Sequence, residues 1–213
     1  MHDIAYHDVP RETFEATEQI IGVKKERLDL YVDQLFWWNQ KINLISRDVS
    51  RETIWEHIRH SLLLGQFRVF KQYEFIVDTG SGGGLPGIPL AIAYPRKKMV
   101  LNDIVSKKIM AVKQIVRKLS LSNAATSDSP IQDIKLDADE FFLVSKHAFK
   151  INQLYKYTAH LPWSAIALYK SIQIDNELEG LGIPLDITVY NLYPNSGQDF
   201  YKGKGIIIIR RLN

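Results

Sequence analysis

FIVDTGSGGGLPGIPLAI, residues Phe75–Ile92, places five of the chain's twelve glycines and two of its eight prolines within eighteen positions. FIVD is short, apolar and β-branched, the pattern of a strand buried on both faces. The glycines follow at once, and the spacing predicts a helix from about Pro86. Pro86 and Pro89 both fall within its first turn, where backbone N–H groups have no intrahelical partner to lose. The unit is therefore strand, bare turn and helix N-terminus. Such a unit aims free N–H groups and the positive end of a helix dipole at a ligand.

Several ligands use a turn of this kind, and the flanking residues separate them. A P-loop requires Lys-Ser/Thr after its last glycine, whereas Ile88-Pro89 follows Gly87. The acyl-transfer elbow G-x-S-x-G requires glycine where Thr79 stands. A dinucleotide fingerprint occurs in the register Gly82, Gly84, Gly87, with Asp103 at a suitable distance. Its first glycine lies four residues beyond Asp78, which is loose for a pyrophosphate turn. The register Asp78-Thr79-Gly80-Ser81-Gly82 fits better, as the D-x-G-x-G pattern of S-adenosyl-L-methionine-dependent methyltransferases. In that pattern Asp78 orients the loop or meets the methionine amino group, and Gly80 and Gly82 let backbone approach the amino-acid part of the cofactor. Asp103, closing MVLND, either caps the next helix or takes the two ribose hydroxyls. Its occurrence together with Asp78 and the glycines favours the ribose.

Working outward, short apolar runs alternate with helical ones: FIVD, Leu85–Tyr94, KMVLND, Lys107–Leu119, FFLVS, a helical stretch and SAIALY. That β-α-β-α texture predicts an α/β fold with a parallel sheet covered on both faces. DITVYNLYP and GKGIIIIRRL are separated by loop rather than helix, and are expected to pair antiparallel. Before Tyr73 the texture is helical, with Leu28, Tyr31, Val32, Leu35, Trp38 and Ile42 at three- and four-residue spacing and Ser50 as an N-cap. Residues 1–70 are read as a helical N-terminal cap and 71–213 as the α/β domain, together one compact unit.

Composition narrows the function classes. The 213 residues are 46% hydrophobic, and the apolar runs fall far short of the ~18 residues that span a bilayer. The first fifteen residues are polar and acidic, unlike a signal peptide, so a cytoplasmic location is expected. Without cysteine there is no disulfide and no thiolate metal site. The net charge is only +3, yet between Arg96 and Lys118 eight Lys and Arg face a single acid, Asp103. That block is a solvated face or a surface for a polyanion. His57 and His60 stand at i and i+3 without a third ligand at suitable spacing, so packing or hydrogen bonding is expected rather than a metal.

WNQKINLIS, EHIRHSL, DTGSGGGLPGIPLAI and LNDIVSKK follow one another as landmarks, and together resemble the glucose-inhibited division protein B family. These bacterial enzymes methylate N7 of a guanine in the 530 loop of 16S ribosomal RNA. The similarity runs from about Leu28 to Leu212. It implies a Rossmann-like methyltransferase domain with a helical cap, S-adenosyl-L-methionine as cofactor, and 16S ribosomal RNA or the 30S subunit as partner. It further implies that Gly80 and Leu85 line the cofactor, that Asp103 is the ribose acid, and that Ile131 and Gln132 contact the adenine. The family has an acid where Gln132 stands. Its Ser-Arg-Ala corresponds to Ser145-Lys146-His147-Ala148, its Leu-Lys-Gly to Tyr169-Lys170-Ser171, and its Asp-Ser-Leu to His60-Ser61-Leu62. Lys146 keeps a charge without the planar fork of Arg. Lys146 is the candidate catalytic, cofactor-contacting and RNA-binding residue, and Lys170 a second RNA-binding candidate. A monomer without metal and without membrane attachment is expected. Two rival functions remain: a methyltransferase-like protein that binds cofactor or RNA without turnover, and a small-molecule methyltransferase.

Overall fold

In the computed structural model, which describes residues 2–46 and 48–212, eight strands form one sheet. They are β1 (Asp3–Asp8), β2 (Phe75–Thr79), β3 (Lys98–Asn102), β4 (Ala124–Ser127), β5 (Phe141–Lys146), β6 (Trp163–Ser171), β7 (Leu185–Asn191) and β8 (Lys204–Arg211). Their order is β1-β7-β8-β6-β5-β2-β3-β4. Neighbours run parallel except at β8, which is antiparallel to both β6 and β7. The expected antiparallel C-terminal pair is therefore β7 and β8. The helices are α1 (Arg11–Asn39), α2 (Arg51–Leu63), α3 (Arg68–Gln72), α4 (Gly87–Ala93), α5 (Ser106–Lys118), α6 (Ile151–Thr158) and α7 (Asp175–Leu178).

The central strands carry unbroken apolar runs, with polar residues gathered toward their ends, because both sides are covered. Along β5, Phe142 and Val144 join one core and Phe141 and Leu143 the other. Along β8, Ile206 and Ile208 face the first core while Ile207 and Ile209 face the second. This is the period-two alternation of a strand, hidden in the sequence because both sides take isoleucine. The first core also holds Leu28 and Leu35 of α1, Ile54 and Ile58 of α2, Ile88 of α4 and Val112 of α5. The second holds Ile151 and Leu154 of α6. Ser50 caps α2, its Oγ accepting from the Thr53 N–H at 3.1 Å. No helix among the described residues is long and apolar enough to cross a membrane.

One strand was not anticipated. DIAYHD at residues 3–8 is polar and mostly exposed, yet it adds to the sheet edge beside β7. What fixes it is the residue after it. Val9 is buried, its N–H donates to the Asn191 carbonyl at 2.9 Å, and Asn195 Nδ2 donates to the Val9 carbonyl.

From β2 the chain moves outward through β3 and β4 on one side and through β5 and β6 on the other. α4 packs in the first core and α6 in the second, so the connections after β2 and β5 leave on opposite faces. The two divergent connections leave a crevice at the carboxyl ends of these strands, the usual ligand site of open α/β sheets.

Candidate active site

A cavity of about 810 Å³ occupies that crevice. Its wall is built from the β2 loop (Thr79–Gly83 and Leu85), the end of β3 (Asn102–Ile104) and the turn Pro130–Gln132. Facing them are Leu44–Ser46 and Val49 after α1, His57 of α2, and Lys146–Phe149 after β5.

A buried polar chain ties the strand ends together beneath it. Asn102 Nδ2 donates to the Ser129 carbonyl at 2.7 Å. Thr79 Oγ1 donates to Asn102 Oδ1 at 2.9 Å, and Ser145 Oγ donates to the Thr79 carbonyl at 2.8 Å. Three strands and the turn after β4 are thereby fixed relative to one another before any ligand arrives, as buried groups demand partners. The α1–α2 connection is organised similarly: Asn39 Oδ1 accepts from the N–H groups of Leu44 and Ile45, and Asn39 Nδ2 donates to the Ser46 carbonyl. The WNQKINLIS landmark is thus a helix end whose asparagine shapes the cavity rim.

The glycine loop is bare chiefly to admit protein. Gly80 has φ +69°, and a Cβ there would meet the Ala148 Cβ at 2.3 Å. A Cβ on Gly87 would lie 2.1 Å from Leu101 and 2.7 Å from an Asp78 oxygen. The helix N-terminus is likewise directed inward. Asp78 Oδ2 accepts from the Gly87 N–H at 2.8 Å, so Asp78 orients the loop. It is buried and does not line the cavity, which corrects the alternative that it meets the methionine amino group. The expectation that the N-terminus of α4 offers free donors to a ligand is corrected for the same reason.

Of the other candidates, Gly80, Gly82, Leu85 and Asp103 line the cavity, as do Ile131, Gln132 and Lys146. Asp103 Oδ2 accepts from the Gly82 N–H at 3.0 Å and Oδ1 from the Val105 N–H at 2.9 Å, so it pins the glycine loop while facing the cavity. Lys170 is a correction. It is 9% exposed, lies outside the cavity wall, and pairs with Glu177 at 2.9 Å while donating to the Phe149 carbonyl. Glu177 Oε2 also accepts from the Ile151 N–H at the start of α6. Lys170 therefore braces the Lys146–Phe149 loop from behind, its Nζ turned to Glu177 and the Phe149 carbonyl rather than to the cavity.

His57 and His147 line the cavity without being among the candidate site residues, although hydrogen bonding is expected of His57. His57 Nδ1 lies 3.0 Å from Lys146 Nζ. His147 has φ +56° and continues the same wall. A non-glycine residue at positive φ is uncommon and concentrates at functional sites. Burial and the nearby Lys204 ammonium pull Lys146 down to about 8 despite the opposing pull of Asp78. Burial, then Lys146, pulls His57 down to about 3, so its ring is neutral. His60, behind it, is fully buried against Tyr169 at 4.9 Å between ring centres, in a packing role. Among the described residues no group of three or more His, Cys, Asp or Glu is arranged to hold a metal ion.

Asp78 carries a stability prediction. Burial pushes its carboxyl up to about 8, against the opposing Gly87 N–H and Lys146. The unfolded chain ionises near ~3.9, so the folded state binds the extra proton between these values. Its contribution is complete below about 4 and is lost as pH rises through about 8. Asp78→Asn keeps an acceptor for Gly87 and cannot ionise. Denaturant melts should therefore show wild type losing stability relative to Asp78→Asn as pH rises across that window, and no further loss above it. A pH-independent difference would mean that the carboxyl is ionised throughout.

Comparison with known proteins agrees with this architecture. A family profile described as GidB, rRNA small subunit methyltransferase G, matches residues 24–187. The chain is 40% identical over 157 residues to the ribosomal RNA small subunit methyltransferase G of Chlorobium limicola, covering 73% of this chain and 69% of that one. It is 31% identical over 198 residues to the protein of the same name from Pelodictyon phaeoclathratiforme, covering 88% and 86%. Among solved structures it resembles the O-methyltransferase from Bacillus cereus in complex with SAH, with TM-score 0.55, 17% identity, and coverage of 92% of this chain and 100% of that one. The O-methyltransferase TomG from Streptomyces achromogenes gives TM-score 0.52, 14% identity, and coverage of 86% and 90%. The two structures show the fold; the family profile and the sequence relatives show more, and by them the chain belongs to the GidB family of rRNA small subunit methyltransferases G.

Proposed function

We propose that this chain is an S-adenosyl-L-methionine-dependent methyltransferase that methylates N7 of a guanine in the 530 loop of 16S ribosomal RNA, acting in the cytoplasm as a monomer without metal. The observation that supports it best is the cavity at the ends of β2, β3 and β5, in a chain of this family. The residues present fit the cofactor. Asp103 places a carboxylate beside the apolar side chains of Ile104 and Ile131, and Ser81 Oγ is buried with no protein partner among the described residues. Asp103 would take the ribose hydroxyls, Ile131 and Gln132 the adenine, and the Gly80–Gly82 loop with Leu85 the amino-acid part. When bound, the cofactor supplies an electrophilic sulfonium methyl.

Guanine N7 carries a lone pair and no proton, so the chain needs no general base. Alignment is its main task. Lys146 offers a cationic donor on the wall, and Phe149 and Tyr157 offer aromatic faces for a base taken from a loop. Lys170, paired with Glu177, and Asp78, accepting from the Gly87 N–H, support this by holding the two loops in place.

Labelled cofactor incubated with bare 16S ribosomal RNA and with 30S subunits tests the proposal, with the methyl group mapped to the nucleotide. Incorporation at N7 of a 530-loop guanine is expected. Cofactor binding with no incorporation into either RNA would favour a binding protein without turnover, and incorporation into small molecules alone would favour the other rival. Asp103→Ala should weaken S-adenosylhomocysteine binding by ~1.5–3 kcal/mol, the range for hydrogen bonds to a charged group. A ligand lacking both ribose hydroxyls should bind the variant and wild type alike. An equal loss for both ligands would mean that Asp103 acts only through the Gly82 and Val105 N–H groups.

A further inference from the structure

Lys146 is a half-buried cation held without a counter-ion. Among the described residues it forms no ion pair with a carboxylate; Lys204 from β8 repels it, and Asp78 from β2, whose carboxyl burial pushes up to about 8, attracts it only once ionised. The group that does receive its ammonium is an imidazole from another element, 89 residues away in the chain. An ammonium has donors only, so His57 Nδ1 accepts and the ring proton resides on Nε2. α2 fixes that ring. Ser50 sets the start of the helix, Ser61 Oγ donates to the His57 carbonyl at 2.7 Å one turn on, and Phe200 packs at 77° to the ring with centres 5.5 Å apart. We infer that His57 is a positioning residue: its Nδ1 holds the Lys146 ammonium at the cavity wall, where the RNA substrate enters.

The inference rests on the proposed methyl-transfer reading for what the held ammonium does, but the contact itself does not. A flexible lysine would otherwise sample many directions, and an unpaired ammonium half out of water favours losing its proton. His57 opposes both. Its ring stays neutral at every working pH, so the acceptor persists, and the neighbouring imidazoles of His60 and His147 do not compete for this ammonium by any hydrogen bond among the described residues.

Two variants separate an acceptor from a filler. His57→Phe keeps a flat ring against Phe200 and removes the acceptor. His57→Asn shortens the side chain and keeps one. The first readout needs no activity: carbon-13-labelled lysine, with the Lys146 signal assigned by its loss in Lys146→Arg, titrated by NMR on the whole chain. Loss of the acceptor should lower the Lys146 titration midpoint by about one unit or more in His57→Phe, with His57→Asn staying near wild type. The second readout is single-turnover methylation against pH. His57→Phe should move the alkaline fall of the rate to lower pH and slow transfer about tenfold at neutral pH, while S-adenosylmethionine affinity stays within about twofold. An unchanged Lys146 midpoint in His57→Phe overturns the inference, and so does a folded His57→Asn that behaves as His57→Phe does. Failure of wild type to methylate RNA would sink the proposed function and leave the NMR test standing.

Discussion

Gly80→Val is expected to abolish S-adenosylmethionine binding in calorimetry while the far-ultraviolet circular dichroism of the sheet survives. Two independent effects act at this position. The backbone has φ +69°, where a β-branched side chain is strained, and the added Cβ would fall 2.3 Å from the Ala148 Cβ. Ala148 belongs to the Lys146–Phe149 segment, so the loop that forms one wall must move to admit the side chain, and it moves against the other wall. A loss of affinity of at least about a hundredfold follows from misplacing both walls at once. Gly22→Ala is the matching control. Gly22 lies inside α1 with nothing within 4 Å of an added Cβ, and alanine there should stabilise the chain by ~1 kcal/mol. Wild-type affinity in Gly80→Val would remove the loop from the cofactor site. Wild type binding NAD instead would restore the dinucleotide register Gly82, Gly84, Gly87.

Such effects also explain what the sequence could and could not disclose. FIVD and FFLVS are legible as strands because burial on both faces demands unbroken apolar residues, and the loop between β2 and α4 is legible because only glycine tolerates its conformation. DIAYHD is illegible: an exposed edge strand needs no apolar pattern, and its existence depends on Val9 and Asn195 meeting β7 and its following loop. Asp78 is visible as an acid at a strand end, but a carboxylate that caps Gly87 and one that meets a ligand look alike in sequence. The same holds for Lys170. Its partner Glu177 lies seven positions on, beyond a loop whose path no local propensity specifies. Cavity residues that carry a motif or a resemblance, such as Gly80, Asp103 and Lys146, could be named from sequence, whereas contacts between distant segments could not. His57 and Lys146 are the clearest case, since neither has a local reason to be read as the other's partner.

Lys146→Ala should slow single-turnover methylation of 30S subunits about a hundredfold at saturating cofactor, the usual consequence of removing one oriented donor from an active site. The melting temperature should stay within a few degrees of wild type, because truncation removes an ammonium that burial and Lys204 already disfavour. Lys146→Arg gives the sharper result. The wild-type ammonium is lost as pH rises through about 8, so transfer by the wild type should fall on the alkaline side of that value. A guanidinium does not titrate in this range and offers a planar fork that can still donate to His57 Nδ1. Lys146→Arg should therefore abolish the alkaline fall, match or exceed wild type at neutral pH, and exceed it by a widening margin as pH increases. If the alkaline fall persists in Lys146→Arg, another group is responsible for it. If Lys146→Ala methylates at the wild-type rate, the residue has no part in transfer, and the cationic wall of the cavity must act through Lys108, the other lysine that lines it.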